Sequence, residues 1–545
     1  MRTSTIYTYL LAGILGTSLY SCNEADFLTE YNPNSPVESS FWKDEADAKA
    51  ALATVYNPIR GATYGYFGAY EGFQNLNTRA DDVFATPNDD ADSYAITIFN
   101  NTPNTGRNNW SDLYKGIQRA NVFLYNLDKV PMDENQKREM QGEAYFLRGY
   151  QYFLLAINYG QAIIHTTPTG LVSGDGMKGL STEAEVWAQV ESDLQKAKEL
   201  LPISRPASEN SRVLKGAAIA HLGKAYIFQG KYAEGASELK TIMSAPYAYD
   251  LVENFEDNFK SSTEFNKESI FELNYDKFGS DGGEWTNGED ANSMMGSVLA
   301  NYFGPQGDAG GWFKMQVSAF LVDEFTIEKR PANSDSKWDK RMYTTFFFKY
   351  SDYNDVKADE TWYDNVSFDK MWNDCTKRTE KGEPTFNDID GVAGRFLFKK
   401  LGCWWSKNGA TMYSNWDAKI NNYRVMRFAE VLLLHAEACA QTGDFASANA
   451  DLKRIRERAG LPDKTFNGKD ELMKEVEHQK LLEFPMEGIR FFDLKRWYTY
   501  DQLKTLFINH EKQGSENFMS KHFWLPIPQS EINANVAIHQ LPAWQ

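Results

Sequence analysis

The sequence predicts a mainly α-helical protein, in which a tetratricopeptide-like scaffold of helical repeats carries a large loop-rich insertion. Apolar residues recur at helical spacing through most of residues 42–245 and 421–545. Two segments in these regions follow one helix–turn–helix design, whereas residues 246–420 between them are rich in glycine and tryptophan. With 545 residues, the chain is long enough to enclose a large core.

The two helix–turn–helix segments define the repeat. In each, a helix ends at a glycine, an aromatic residue follows two positions later, and a second amphipathic helix continues the chain. The pairs are Gly230 with Tyr232 and Gly443 with Phe445. Glycine permits the tight turn, and the aromatic ring packs between the paired helices. We therefore expect both segments to belong to one scaffold that the insertion interrupts.

The insertion contains most of the candidate ligand site. It holds eight of the 14 tryptophans, and the flat face of an indole ring packs well against the C–H groups of a sugar. Each tryptophan taken alone is better explained as a core residue, but from the set we expect two to four exposed rings. The candidate ligand-binding residues are Trp285, Trp312, Trp362, Trp404 and Trp405, with Tyr66 and Tyr70 from a second aromatic- and glycine-rich loop.

Motifs for catalysis and for metal binding are absent from the sequence. It has no HExxH, GxSxG, P-loop or CxxC pattern, so we expect no catalytic residue, no cofactor and no enzymatic activity. Asp276 and Asp281 lie in a glycine-rich loop that could hold calcium, but the loop does not match the EF-hand pattern. The net charge of −18 disfavours nucleic acid as a partner.

The start of the chain resembles the leader of a bacterial lipoprotein. A short apolar run ends in LYSC, which matches a lipobox at Cys22 except for the tyrosine. This pattern predicts residues 1–21 as a signal peptide, Cys22 as the lipidated N-terminus and residues 22–41 as a tether. The alternative is an ordinary secretory signal with an incidental cysteine.

The three other cysteines are too few for a disulfide framework. Cys439 lies in an apolar helical run, and we interpret it as a buried side chain. Whether Cys375 and Cys403 form a bridge stays open at this stage.

Long motifs in the C-terminal third resemble the SusD/RagB family. The segment RFAEVLLLHAEACAQTGDFASANADLKRIRERAGLP, the motif LLEFPMEGIRFFDLKRW and the ending LPIPQSEINANVAIHQLPAW each match a block of that family. Upstream, WSDLYKGIQRANVFL and GEAYFLRGYQYFLL also fit, so the likeness extends over nearly the whole chain. One departure is Pro485, which we expect to kink its helix.

Three charged residues of the second motif read as structural. Arg490, Asp493 and Arg496 follow one another at three-residue spacing, which suits ion pairs near a helix end. We do not expect them to form a catalytic set.

The resemblance implies a surface-exposed lipoprotein, anchored by its lipid in the outer membrane of Bacteroidota-type bacteria. Such proteins cap a SusC-like TonB-dependent transporter and bind glycans, or peptides in some members, for import. The helical regions then form the scaffold, and residues 246–420 shape the ligand site. We expect a non-catalytic protein that binds a neutral oligosaccharide, since the chain is acidic. The alternatives are a peptide-binding relative and a surface glycoside hydrolase with paired carboxylates.

Overall fold

The computed structural model of the chain describes residues 41–60, 65–68, 72–85, 91–105, 109–171, 175–275, 296–306, 309–362, 365–376, 394–404 and 420–545. The α-helices within these ranges are α1 (Glu45–Arg60), α2 (Gln74–Asn77), α3 (Ala91–Thr97), α4 (Trp110–Leu127), α5 (Glu134–Tyr159), α6 (Glu183–Leu200), α7 (Lys215–Phe228), α8 (Tyr232–Ile242), α9 (Leu299–Phe303), α10 (Ala319–Thr326), α11 (Lys340–Thr345), α12 (Phe368–Thr376), α13 (Phe428–Thr442), α14 (Phe445–Ala459), α15 (Lys469–Glu483), α16 (Arg490–Trp497), α17 (Tyr500–Asn509) and α18 (Gln529–Ala534). The short strands are β1 (Val83–Ala85), β2 (Ser269–Leu273), β3 (Met315–Val317), β4 (Phe346–Phe347), β5 (Leu397–Phe398) and β6 (Tyr423–Arg427).

The longer helices form one continuous array in which each helix packs against the next. α1 packs on α4, α4 on α5, α5 on α6, α6 on α7 and α7 on α8. α8 then packs directly on α13, and α13 packs on α14 and α15, although the predicted insertion separates α8 from α13 in the chain. The prediction of one interrupted, tetratricopeptide-like scaffold is therefore confirmed.

The two repeat turns form where the sequence predicts them. Gly230 has φ 74° and Gly443 has φ 87°, a left-handed conformation that glycine adopts without steric cost. Tyr232 and Phe445 begin the second helix of each pair and are half-buried against the core. The turn geometry and the packed ring thus fix the angle between the paired helices.

Three two-stranded antiparallel sheets within the described ranges connect distant parts of the chain, namely β1–β3, β2–β6 and β4–β5. In the β2–β6 sheet, Ser269 faces Arg427 and Leu273 faces Tyr423, so this part of the insertion is joined to the residues just before α13. Apolar side chains of the scaffold and of the insertion belong to one core cluster. The boundaries between residues 42–245, 246–420 and 421–545 stay predictions, because this shared core extends across them.

A buried ionic cluster, defined by Arg341, Arg427, Arg458, Glu483 and Glu487, joins the insertion to the last helices. Glu483 lies 3.1 Å from Arg341 and 2.9 Å from Arg427, and it also pairs with Arg458. Burial would raise the pKa of Glu483, but the three guanidinium groups hold it well below its ordinary range. The three arginines outnumber the two glutamates, and further negative charge comes from Asp339, which pairs with Arg341, and from Glu268, which pairs with Arg427 and Arg458.

The expectation that Pro485 kinks a helix is wrong. α15 ends at Glu483, and Pro485 lies in the turn that leads to α16. Proline has no N–H to continue the helical hydrogen bonds, so the helix stops before it. The turn also contains Met486 at φ 65° and Gly488 at φ 72°.

The predicted ion pairs of the second motif are confirmed. Arg490 lies 2.9 Å from Asp81, Asp493 lies 2.6 Å from Lys480, and Arg496 lies 2.7 Å from Asp493. These contacts tie α16 to α15 and to the segment before β1.

Cys375, Cys403 and Cys439 are buried, and no disulfide joins Cys375 to Cys403. The Sγ atom of Cys375 accepts a hydrogen bond from the backbone N–H of Gln306 at 3.3 Å. Burial raises the pKa of this thiol to about 12, so it stays protonated and unreactive at neutral pH. In the described part of the chain, no helix has the length and hydropathy that a bilayer span needs.

Candidate ligand site around Trp404

Two of the predicted tryptophans come together on either side of a buried lysine. The ammonium nitrogen of Lys399 lies 3.9 Å from the ring centroid of Trp404 and 4.8 Å from that of Trp362. Trp404 is half-buried, whereas Trp362 is only 7% exposed and packs edge-on against Phe347. We call Trp362, Lys399 and Trp404 the indole–lysine stack. Trp404 is the less buried of the two indole rings, and the ammonium group of Lys260 also lies 5.8 Å from its centroid.

A tight turn after β5 positions the stack. The backbone N–H groups of Lys399 and Lys400 both donate to the carbonyl of Thr345, and the N–H of Gly402 donates to the carbonyl of Lys399. Leu401 adopts φ 62°, which is uncommon for a residue other than glycine and marks an over-determined turn. The chain thereby reverses, and the ring of Trp404 is brought back over the side chain of Lys399.

The charge of Lys399 is held by rings and by one backbone carbonyl. Its ammonium group donates to the carbonyl of Tyr343 at 2.7 Å, and no described carboxylate forms an ion pair with it. Burial lowers the pKa of Lys399 to about 8, and the more distant Glu360 and Glu256 partly offset this effect. The attraction between an ammonium group and an indole face is worth about 0.5–2 kcal/mol. The stack is thus a preformed support for Trp404.

Trp312 lies on a neighbouring strand connection. Its N–H donates to the carbonyl of Asn301 at 2.7 Å, and its own carbonyl accepts from the side chain of Gln306 at 2.8 Å. A Cβ atom on Gly311 would lie 2.2 Å from the carbonyl oxygen of Gly304, so only glycine fits before Trp312. Trp312 is half-buried. Trp312 precedes β3, and Trp404 follows β5. These two strands pack beside each other, so both half-exposed tryptophans lie next to adjacent strands.

Tyr66 is a buried residue of the hydrophobic core. It is 3% exposed, and its hydroxyl accepts a hydrogen bond from the side chain of Asn158 at 2.8 Å. Burial raises the pKa of Tyr66 well above its ordinary value. Its ring contacts Phe67, whose ring in turn contacts Tyr423. Tyr66 and Trp362 therefore offer no open ring face here, and a direct role for them in binding stays a prediction.

Several predicted residues lie outside the described part of the chain. They are Cys22, Tyr70, Asp276, Asp281, Trp285 and Trp405. Among the residues that are described, no group of three or more acidic, histidine or cysteine side chains could hold a metal ion.

Sequence reasoning missed Lys399. The only signal was the Lys399-Lys400 pair between a short apolar strand and two tryptophans, and consecutive lysines normally indicate a solvated surface. Burial of both lysines depends on partners far away in the chain, so the local sequence does not reveal it.

Comparison with known proteins agrees with this architecture. The model of the SusD family matches residues 267–544, which is more than half of the chain. The protein belongs to the SusD family. A second family model, described as starch-binding and associating with the outer membrane, matches residues 26–227.

SusD-like proteins of similar length are similar to this chain in sequence. SusD-like protein P38 of Formosa agariphila is 25% identical over 514 residues, covering 88% of this chain and 89% of that protein. A SusD-like protein of Bacteroides ovatus is 23% identical over 515 residues, covering 91% and 84%.

Solved structures confirm the SusD-like helical fold. A SusD superfamily protein from Bacteroides vulgatus superposes with a TM-score of 0.75 at 26% identity, covering 92% of this chain and all of that one. A laminarin-binding SusD-like protein gives a TM-score of 0.71 at 25% identity with the same coverage. Surface glycan-binding protein A from Bacteroides thetaiotaomicron, solved with laminarihexaose, shares the fold at 19% identity, with a TM-score of 0.70 and coverage of 91% and 99%.

Proposed function

We propose that this protein is a non-catalytic lipoprotein of the outer membrane that binds a neutral oligosaccharide and delivers it to a SusC-like TonB-dependent transporter. The observation that carries the proposal is the half-exposed ring of Trp404. Its face lies over the ammonium group of Lys399, which also contacts the ring of Trp362. A flat ring held in place loses little conformational entropy when a sugar stacks on it. Trp312 supplies a second half-exposed ring from the adjacent connection.

The family comparisons support the same function. The match described as starch-binding and associating with the outer membrane fits both the glycan and the location. The laminarin-binding relative also indicates a neutral glucan as the class of ligand. Lipidation at Cys22 and a transporter partner follow from the sequence resemblance and are part of the proposal.

Affinity electrophoresis in gels that contain starch or laminarin tests the ligand site. We expect the parent protein to be retarded in at least one gel, and Trp404→Ala to lose about 2 kcal/mol of binding, about thirty-fold in Kd. Trp42→Ala is the matched control, because Trp42 is also half-buried but packs on Phe41 and Phe123. The site is wrong if the parent binds and neither Trp404→Ala nor Trp312→Ala weakens binding.

The same preparation separates the proposal from its alternatives. Retention of peptides but not of glycans would identify a peptide-binding member. Release of reducing sugar from either polysaccharide would identify a hydrolase.

One pair of neighbouring carboxyl groups has the divergent pKa values that a glycosidase uses. Burial and the neighbouring Asp81 raise the pKa of Asp82 to about 7, while Arg490 and His510 hold that of Asp81 low against the effect of burial. However, Asp81 and Asp82 are 0% and 3% exposed, and Asp81 is engaged by Arg490 and His510. A closed pair of this kind offers no space for a glycosidic bond, which supports the non-catalytic assignment.

The membrane and partner parts of the proposal have their own test. Cys22→Ala should move the protein from the membrane fraction to the soluble fraction while its binding to the glycan gel is unchanged. The membrane-bound parent should copurify with an outer-membrane barrel protein. Unchanged fractionation of the Cys22→Ala protein would contradict the lipid anchor.

A further inference from the structure

A second cleft lies beside β2 and shares no lining residue with the indole–lysine stack. It has a volume of about 350 Å³ and lies between three segments: the connection from α6 to α7, the residues after α8, and the turn that leads into β2. This volume lies within the range of small-ligand pockets, which is about 300–1,000 Å³. Its lining combines aromatic rings with amide and hydroxyl groups.

Two nearly parallel tyrosine rings form one wall of the cleft. The ring centroids of Tyr247 and Tyr249 are 6.2 Å apart with an angle of 12° between the planes. Tyr249 continues the stack onto Phe428 in the core, at 6.4 Å and 20°. Both tyrosines are half-buried, and among the described residues neither hydroxyl has a hydrogen-bond partner. Because Tyr249 is stacked between Tyr247 and Phe428, the wall offers the ring face and the unused hydroxyl group of Tyr247.

The wall is built by tight packing and is not a chance grouping of surface residues. A Cβ atom on Gly216 would lie 2.3 Å from the hydroxyl oxygen of Tyr249, so the ring fits against α7 only because residue 216 is glycine. Phe265 lines the cleft with φ 52°, a strained conformation for an aromatic residue, and its N–H donates to Glu272 at 2.9 Å. Strained backbone of this kind concentrates at functional sites.

Every charged side chain in the lining already has a partner of opposite charge. Arg205 and Arg212 both pair with Glu143 and Glu209. Lys267 pairs with Asp250 at 3.2 Å.

The fourth charged group is Glu272, which pairs with Arg424 at 3.3 Å. A charged ligand would therefore find no unpaired counter-ion in the lining. The groups left to bind a ligand are the ring and the hydroxyl of Tyr247, together with neutral polar side chains such as Asn210 and Ser211.

We propose that this cleft is a second carbohydrate-binding site, which takes a short neutral glycan by stacking on the ring of Tyr247, with Tyr249 packed behind that ring. Ring faces and uncharged hydrogen-bonding groups are what the C–H faces and hydroxyls of a sugar require. The proposal stands on the geometry of this cleft and does not depend on binding at Trp404.

The test is ¹⁹F NMR of the full-length protein labelled with 3-fluorotyrosine, with the signals of Tyr247 and Tyr249 assigned from the Tyr→Phe variants. Maltohexaose and laminarihexaose are the neutral probes, and a galacturonate oligomer is the anionic probe. We expect at least one neutral probe to shift both signals saturably, in the parent and in Trp404→Ala alike. Tyr247→Ala should weaken this binding about tenfold through lost stacking. Tyr247→Phe should weaken it about fivefold through one lost hydrogen bond, whereas Tyr249→Phe should leave it unchanged, because the Tyr249 hydroxyl packs against Gly216.

Tyr125 provides the internal control, because its ring is 48% exposed and lies outside the cleft. Its signal should not move. The proposal is overturned if neither neutral probe shifts the two signals, if the galacturonate oligomer shifts them equally, or if Tyr125 shifts with them. Saturable shifts in the Trp404→Ala protein separate this site from the stack, because a failure of the Trp404 site leaves them unchanged.

Discussion

The ionic cluster and the indole–lysine stack meet at two adjacent lysines that are held in opposite ways. Lys400 pairs with Glu487 and donates to the carbonyl of Glu483 at 2.9 Å, so it belongs to the scaffold side. Lys399 lies between two indole rings without a carboxylate partner among the described residues. Burial lowers the pKa of both to about 8. Charge paired with charge fixes the insertion on the scaffold, whereas charge placed against rings fixes the indole ring of Trp404.

The largest effect should come from removing a charge from the buried ionic cluster. Glu483→Gln leaves Arg341, Arg427 and Arg458 with too little negative charge around them. Loss of one partner of a buried ionic group typically destabilises a protein by about 3–5 kcal/mol. We expect a loss of that size in the free energy of unfolding measured by denaturant titration.

The matched control is Glu457→Gln. Glu457 is 58% exposed and lies 3.7 Å from Lys453 on the surface of α14, and exposed pairs contribute at most about 1 kcal/mol. If the two substitutions cost the same, the cluster does not hold the insertion in place.

A smaller effect is expected at the connection that presents Trp312. In Gly311→Ala, the added methyl group would overlap the carbonyls of Gly304 and Pro305, at 2.2 and 2.5 Å from the ideal Cβ position. Overpacking of this kind costs about 1–3 kcal/mol and should displace Trp312. We expect weaker retardation in the glycan gel together with a lower denaturation midpoint.

Gly468→Ala serves as its control, because a Cβ there has no neighbour within 4 Å and φ is −159°. This substitution should change stability by about 0.5 kcal/mol or less. Equal losses in both variants would mean that the close approach at Gly311 is not what positions the loop.

The scaffold was predictable from the sequence because its signals are local. Gly230 and Gly443 mark turns, and the aromatic residues after them mark the paired helices, so a window of about 30 residues contains each repeat. The family motifs in α13 to α16 are long and continuous for the same reason. Pro485 was misread because the helix period continues up to it, and only the turn with Met486 and Gly488 shows that the helix has ended.

The candidate site was predictable only in composition. Glycine-flanked tryptophans pointed to Trp312 and Trp404, which are half-exposed, but the same composition also selected Trp362, which is buried. The difference arises from contacts with Phe347 and Lys399, which the fold brings together and the local sequence does not record. The wall of Tyr247 and Tyr249 was missed because the stacking of its rings and the close approach of Tyr249 to Gly216 are tertiary features.

The stability that the indole–lysine stack contributes should depend on pH. The folded pKa of Lys399 is about 8, below the ordinary value of 10.5, so the unfolded chain binds more protons between these values. Stability contributed by this group therefore rises with pH across that window, by at most about 1.4 kcal/mol per pH unit. In Lys399→Met this contribution is absent, so the parent should gain stability relative to the variant between pH 7.5 and pH 9.5.

Lys400 and the other buried lysines titrate in both proteins, so the difference between them isolates Lys399. Denaturant titrations at the two pH values measure it. Near-UV circular dichroism should also change around pH 8 in the parent only, as the ammonium group between the indoles loses its proton. Parallel pH curves for the two proteins would show that Lys399 is not held as a buried cation.

The smallest expected effect is that of a reducing agent. Cys375 and Cys403 are buried and are not joined by a disulfide, so the segment that carries the stack is ordered by its core contacts and by the ionic cluster. Dithiothreitol should leave the thermal midpoint of the parent unchanged. It should also leave the midpoint of a Cys375→Ser, Cys403→Ser double variant unchanged. A native disulfide would instead contribute about 2–5 kcal/mol that the reductant removes. A lower midpoint in dithiothreitol, seen in the parent but not in the double variant, would show that a cross-link also orders the segment that carries the stack.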